Sequence, residues 1–174
     1  MKDMIRYGTI LALICIVAAG LLSLVNSVTK QKILVQALAE ENNSLKEVMP
    51  QAANFEAVKI GDEISYYKVM DKDNKFIGVA FKASGKGYSS TIETMVGMLK
   101  TGEITAIKIL SQNETPGLGA KVSENEFSSQ FSGKNVQDLT GVEAITGATI
   151  SSKAVISSIN SKADEVLKLI KNGQ

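Results

Sequence analysis

A run of 21 residues without a charged side chain, residues 8–28, constrains this chain more than any other feature of its sequence. As an α-helix rising about 1.5 Å per residue, the run matches the hydrocarbon core of a bilayer, which is roughly 30 Å thick. A cleavable signal peptide is the alternative, because Lys2 and Arg6 precede the run. Such a peptide has an apolar core of only about 7–15 residues and a cleavage site between small residues, which is not evident here. The sequence therefore predicts a retained membrane anchor.

The charges that flank this run bear on its orientation. Lys2 and Arg6 lie on its N-terminal side and Lys30 and Lys32 on its C-terminal side, which is nearly a tie under the positive-inside rule. A short N-terminal tail before a large domain is typical of an uncleaved signal anchor. We therefore expect a single pass through the cell (inner) membrane, with the soluble domain on the extracytoplasmic side.

Composition excludes several classes of function for the rest of the chain. The 174 residues carry a formal charge of +1 with no basic stripe, so we expect no nucleic acid partner. Histidine is absent, and the single cysteine, Cys15, lies inside the apolar run. We therefore predict no metal site, no iron–sulfur ligation and no histidine acid–base catalysis. Any redox chemistry must come from an organic cofactor.

The spacing of apolar residues predicts an α+β domain after the anchor. Helical spacing continues over residues 31–50 and ends at Pro50, which we interpret as a helical stalk. A final amphipathic helix begins near Ser151. Four strands joined by short turns predict an antiparallel sheet, at residues 64–70, 76–82, 91–99 and 104–110. The expected domains are a tail with a transmembrane helix (1–30), the stalk (31–50), and an antiparallel sheet with packed helices (51–174).

The first of two distinctive loops is Glu114-Thr115-Pro116-Gly117-Leu118-Gly119. Its Pro-Gly pair is typical of a type II turn, and the simplest interpretation is a plain connection between elements. An apolar Leu118 between two glycines can also press against a flat ring. The candidate ring contacts are Leu118, Gly119 and the backbone of Glu114 and Thr115.

The second loop, Thr146-Gly147-Ala148-Thr149-Ile150-Ser151-Ser152, leads into the final helix. Free N–H groups at a helix start and the positive end of the helix dipole attract phosphate, and small residues leave the approach open. Thr146, Ser151 and Ser152 are candidate donors to phosphate oxygens, with Lys121 or Lys153 as the counter-charge. The simpler interpretation is a helix N-terminus capped by Ser151 or Ser152, and we expect both roles to hold.

Together, segments 114–119, 130–134 (Gln-Phe-Ser-Gly-Lys) and 144–152 resemble the FMN-binding domain of the G subunit of the Rnf complex, the ion-translocating ferredoxin:NAD oxidoreductase. The C subunit of the sodium-translocating NADH:quinone reductase is similar too. The resemblance covers nearly the whole chain, because the anchor, Gly87-Tyr88 and Met95-Val96-Gly97 match in the same order.

The resemblance implies an FMN joined by a phosphodiester bond to the threonine that ends the Ser/Thr-Gly-Ala-Thr motif, here Thr149. The family's motif usually begins with Asp where this chain has Glu143. The implied function is a one-electron carrier among the membrane subunits of the Rnf complex, exchanging electrons with neighbouring flavin or iron–sulfur centres. No residue is then catalytic, and the subunit alone turns over no physiological substrate. The alternatives are a flavin-free extracytoplasmic scaffold subunit and a standalone flavoenzyme.

Overall fold

The computed structural model describes residues 2–61 and 63–171 and contains a long N-terminal helix, a sheet and a C-terminal helix. The chain forms two compact units, one ending at Glu40 and the other beginning at Glu41. The helices are α1 (Lys2–Val48), α2 (Asn125–Ser128) and α3 (Thr149–Lys171), and the strands are β1 (Asn54–Ile60), β2 (Glu63–Met70), β3 (Phe76–Lys86), β4 (Thr91–Leu99) and β5 (Ile104–Ser111). Short 3₁₀ turns at Gly119–Ser123 and Ser129–Phe131 flank α2.

The first unit is the part of α1 that ends at Glu40. Its segment Met4–Ser27 has 24 residues and is long and apolar enough to cross a membrane. Its large apolar side chains, among them Leu11, Ile16 and Leu22, are exposed around the helix. Such a surface is stable only in an apolar environment, as expected of a single-pass anchor.

The second unit is built on an antiparallel sheet in the order β1-β2-β3-β4-β5. The four strands predicted from the sequence are confirmed as β2 to β5, and β1 is an additional strand that the prediction missed. In this edge strand only Phe55 and Val58 are half-buried and the other side chains are exposed. A strand that buries so little has too weak an apolar alternation to be recognised from sequence.

Side chains of the central strands alternate between two hydrophobic cores. In β3, Val79 and Phe81 belong to one core and Ala80 to the other, as the two-residue period of a strand requires. The first core includes the apolar stripe of α3, namely Val155, Ile159, Ala163 and Val166. The second is completed by Leu45, Val48 and Met49 at the end of α1.

The last turns of α1 are therefore part of the second unit, so residues 41–48, which the sequence assigned to a stalk, pack onto the sheet. The hydroxyl of Tyr67 donates to Oε1 of Glu41 at 2.8 Å. Burial and the neighbouring Glu41 carboxylate raise the pKa of Tyr67, so the phenol keeps its proton. Lys108 forms an ion pair with Glu47 at 2.8 Å. This exposed pair adds at most about 1 kcal/mol to stability. Apolar packing therefore contributes most of the free energy that holds the end of α1 on the sheet.

Helix α3 packs closely against β3 at Gly85. A Cβ atom on this glycine would lie 2.5 Å from the carbonyl oxygen of Ala154 and 3.0 Å from Cβ of Ser158. Only glycine allows this contact, which holds the first turns of α3 beside the end of β3. The helix begins at Thr149, two residues earlier than predicted, because Ala148 already accepts the N–H of Ser152 at 3.0 Å.

Candidate functional site

A cavity of about 450 Å³ lies where the two glycine loops meet, within the range of roughly 300–1,000 Å³ typical of small-molecule sites. Nine of the twelve residues predicted for the site line it. The first loop contributes Glu114, Thr115, Leu118 and Gly119, and the second contributes Gly147, Ala148, Thr149, Ile150 and Ser151. The tertiary fold thus brings the two loops to one place.

The other three residues of this set lie elsewhere, and Lys153, the alternative counter-charge, lines a third cavity. Thr146 and Lys121 line a neighbouring cavity of about 300 Å³, together with Glu143. Ser152 is fully buried, and its hydroxyl donates to the carbonyl of Ala148 and accepts the N–H of Ile145, both at 3.0 Å. Ser152 therefore braces the loop from inside, and the expectation that its hydroxyl donates to a phosphate is wrong.

The first loop turns at Gly117, as predicted. The N–H of Leu118 donates to the carbonyl of Thr115 at 3.1 Å, and Gly117 has φ +76°. A positive φ at the third position of the turn is the mark of type II geometry. This turn directs the side chain of Leu118 into the wall of the cavity.

The second loop turns in the same way at Gly147, which has φ +81°. The N–H of Ala148 donates to the carbonyl of Ile145 at 2.9 Å across this turn. A Cβ atom on Gly147 would lie 3.3 Å from Cδ2 of Leu118. The two loops therefore touch through Leu118, with only a small residue facing it.

Glu114 has a role that the sequence did not predict. The residue is only 6% exposed, and its carboxylate accepts five hydrogen bonds. Three come from the backbone N–H groups of Tyr88 (3.1 Å), Ser89 (3.0 Å) and Ser90 (2.8 Å). The hydroxyls of Ser90 (3.1 Å) and Ser151 (2.6 Å) supply the others. One carboxylate thus ties the turn after β3, the first loop and the start of α3 together.

These hydrogen bonds decide the charge of Glu114. Burial alone would raise the pKa of its carboxyl group, but the hydrogen bonds from Ser151, Ser90, Ser89 and Tyr88 outweigh burial and lower the pKa to about 2. The group is therefore ionised at neutral pH. Its donors are all neutral, and none of the ion pairs in the described part of the chain involves it.

Ser151 also differs from its prediction. Its hydroxyl is buried and donates to Oε2 of Glu114, so it has no proton left for a phosphate. The same packing leaves no room for a side chain at Gly119. A Cβ atom there would lie 2.7 Å from Oγ of Ser151 and 2.8 Å from Oε2 of Glu114. Neither Ser151 nor Ser152 caps the helix, because both hydroxyls have partners elsewhere.

The start of α3 presents backbone donors at the cavity. The first intrahelical hydrogen bond runs from the N–H of Ser152 to Ala148, so the N–H groups of Thr149, Ile150 and Ser151 have no acceptor within the helix. Thr149 is exposed and lines the cavity. Its hydroxyl therefore lies beside free N–H groups and the positive end of the helix dipole, an arrangement that suits a phosphate group.

Apolar side chains form the rest of the cavity wall. Leu118 and Ile150 are largely exposed there, and Tyr88 is 72% exposed. Sequence reasoning did not place Tyr88 in the site, although Gly87-Tyr88 was one of the segments that carried the family resemblance. Large exposed apolar groups around one cavity favour a flat, apolar ligand ring.

Known proteins resemble the chain along nearly its whole length. Residues 1–48 match the RnfG N-terminal region, and residues 87–164 match the FMN-binding domain. The chain is 31% identical to the G subunit of the ion-translocating oxidoreductase complex of Methanosarcina acetivorans, over 95% of each chain. It is 35% identical to the G subunit of the Na⁺-translocating ferredoxin:NAD⁺ oxidoreductase complex of Acetobacterium woodii, over 91% of this chain and 89% of that one. The crystal structure of Shewanella oneidensis NqrC shares the fold, with a TM-score of 0.51 at 21% identity over 70% of this chain and 74% of that one.

These matches coincide with the features described above. Every residue that lines the cavity, from Tyr88 to Ser151, lies inside the segment that matches the FMN-binding domain. The candidate membrane span lies inside the segment that matches the RnfG N-terminal region. Nothing in the matches favours the flavin-free alternative. The chain belongs to the family of G subunits of ion-translocating oxidoreductase complexes.

Proposed function

We propose that this chain is a membrane-anchored electron-carrier subunit of an ion-translocating ferredoxin:NAD oxidoreductase (Rnf) complex, with FMN held in the cavity between the two loops. One observation carries the proposal: the exposed Thr149 hydroxyl, the free N–H groups of α3 and an apolar wall meet at a single cavity. FMN supplies one-electron chemistry that the side chains of this protein lack. The protein binds the cofactor, orients it and sets its electrostatic surroundings.

The residues present fit both parts of FMN. The N–H groups at the start of α3 would receive the phosphate, and Gly147 and Ala148 offer it no bulky side chain. Leu118, Ile150 and Tyr88 would receive the apolar face of the ring system. The cavity thus offers backbone N–H donors to the phosphate and apolar side chains to the ring system.

We further propose that FMN is esterified through its phosphate to Thr149. Three exposed threonines lie in the two loops, Thr115, Thr146 and Thr149. Thr146 lines the neighbouring cavity, and Thr115 lies in the first loop and not on α3. Of the three, Thr149 alone both lines the cavity and lies at the N-terminus of α3.

Mass spectrometry of the protein made with its native flavin transferase tests this proposal. We expect the peptide that contains Thr149 to carry the mass of one FMN less one water. Thr149→Ala should abolish this added mass, whereas the matched controls Thr115→Ala and Thr146→Ala should retain it. An unmodified wild-type peptide from active membranes would refute the ester, and the absence of flavin from the assembled complex would refute the carrier function.

We also infer that the second unit lies on the extracytoplasmic side and that its partners are the other membrane subunits of the complex, with electrons exchanged between FMN and neighbouring flavin or iron–sulfur centres. A candidate span followed by a folded domain, the arrangement of an uncleaved signal anchor, supports this orientation. Cysteine labelling tests it in a Cys15→Ser background. A membrane-impermeant maleimide should label Lys100→Cys, which lies in the exposed turn after β4, in intact cells. It should label Lys2→Cys only after lysis, and the reverse pattern would place the domain in the cytoplasm.

A further inference from the structure

We propose that the buried carboxylate of Glu114 is a fixed negative charge in the wall of the flavin cavity and lowers the reduction potential of the flavin bound there. This inference rests on the proposed function, because it requires FMN in that cavity. The sequence suggested only backbone contact with the ring at this position. The structure makes Glu114 a lining residue and holds its carboxylate against three other lining residues, Tyr88, Gly119 and Ser151.

Glu114 dominates the electrostatics of this cavity. Among the described residues that line it, Glu114 alone carries a charged side chain at neutral pH. The nearby lysines line other cavities: Lys121 faces the one that contains Glu143, and Lys86 and Lys153 face a third beside the flank of α3. Glu114 is 6% exposed as a whole residue, so bulk water screens its charge less than it screens a surface charge.

The hydrogen bonds keep this charge in place without cancelling it. Three backbone N–H groups and two hydroxyls donate to the carboxylate, and all of them are neutral. They hold the pKa of Glu114 near 2, so the group stays ionised across the physiological range.

The effect on a bound flavin follows from the sign of the charge. An electron that enters the flavin adds negative charge to the same cavity, and the fixed carboxylate repels it. The reduced form is therefore destabilised relative to the oxidised form, and the reduction potential falls. The free N–H groups and the dipole at the start of α3 act in the opposite direction. Replacing Glu114 with Gln removes the negative contribution.

Spectroelectrochemical titration of the flavin in the full-length flavinylated protein tests this proposal. Glu114→Gln should shift the midpoint potential upward relative to wild type. The matched control is Glu126→Gln, which removes the same charge from an exposed position on α2 outside the cavity and should leave the potential unchanged. Equal potentials in wild type and Glu114→Gln, or equal shifts in both variants, would overturn the proposal.

Ser151→Ala provides a second test that keeps the carboxylate. The variant removes one neutral donor, the Ser151 hydroxyl at 2.6 Å, while the three backbone donors remain. The dipole of the Ser151 hydroxyl then no longer partly screens the charge of Glu114, so the potential should shift downward, opposite to Glu114→Gln. A general disturbance of the cavity would move both variants in one direction, and no downward shift in Ser151→Ala would contradict the inference.

The same samples separate this inference from the proposed function. Intact-protein mass spectrometry reports whether wild type carries the flavin at all. A wild-type protein without flavin refutes the proposed function, whereas attached flavin with an unchanged potential in both variants refutes only the role of Glu114.

Discussion

Replacing Glu114 with Gln should destabilise the flavin-free protein at neutral pH. Both carboxylate oxygens are in use, since Oε2 accepts from Tyr88 and Ser151 and Oε1 accepts from Ser89 and Ser90. An amide offers one acceptor oxygen, so some of these donors lose their partner. The pKa of Glu114 is lowered from 4.5 to about 2, which corresponds to about 3 kcal/mol in favour of the folded, ionised form. Water can replace part of the lost bonding near the surface, so we expect a loss of about 2–3 kcal/mol.

This destabilisation should depend on pH with a definite sign. Because the folded pKa lies below the unfolded value of 4.5, the ionised carboxylate stabilises the fold fully above that pH. Its contribution is lost as the pH falls from 4.5 toward 2, where wild type also becomes neutral at Glu114. The glutamine variant does not titrate at this position. The difference in stability between the two proteins should therefore be greatest near neutral pH and shrink in acid.

Urea unfolding of the full-length protein in detergent, followed by circular dichroism between about pH 3 and pH 7, measures this difference. Glu126→Gln is the control, and it should unfold close to wild type because its side chain is exposed. The reasoning is refuted if Glu114→Gln and wild type have the same free energy of unfolding at pH 7. It also fails if the difference grows on acidification.

Two further substitutions test the walls of the cavity. Gly119→Ala should cost about 1–3 kcal/mol, because its Cβ would lie 2.7 Å from Oγ of Ser151 in a packed region. Gly141→Ala is the control for this variant in urea unfolding. The Cβ atom added at position 141 would lie 2.7 Å from Nζ of Lys134, which is the end of a flexible side chain and can move away. Equal losses of stability in the two variants would contradict the packing argument. Leu118→Ala should change the absorbance spectrum or potential of the flavin while mass spectrometry still finds the covalent adduct, because ring contact and phosphate attachment use different residues. If spectrum and potential both stay unchanged, Leu118 does not contact the ring.

Local patterns were enough to predict much of this protein. The length of the uncharged run predicts the span, and two-residue alternation predicts strands β2 to β5. The Pro116-Gly117 pair predicts its turn correctly, because proline and glycine restrict or permit particular backbone angles whatever surrounds them. The two loops of the site were recognised for the same reason, since each is a short contiguous segment with unusual chemistry.

The arrangement of the site depends on contacts between distant parts of the chain. Glu114 binds Ser90 and Ser151, which lie 24 and 37 positions away. A glutamate in a loop is ordinarily exposed, so no local pattern marks this carboxylate as buried or ionised among neutral donors. The same contact takes the Ser151 hydroxyl away from any phosphate. Residue order alone therefore determined most of the elements and the two loops. The fold decided which groups face the cavity, because burial and hydrogen bonding arise only when separate segments pack together.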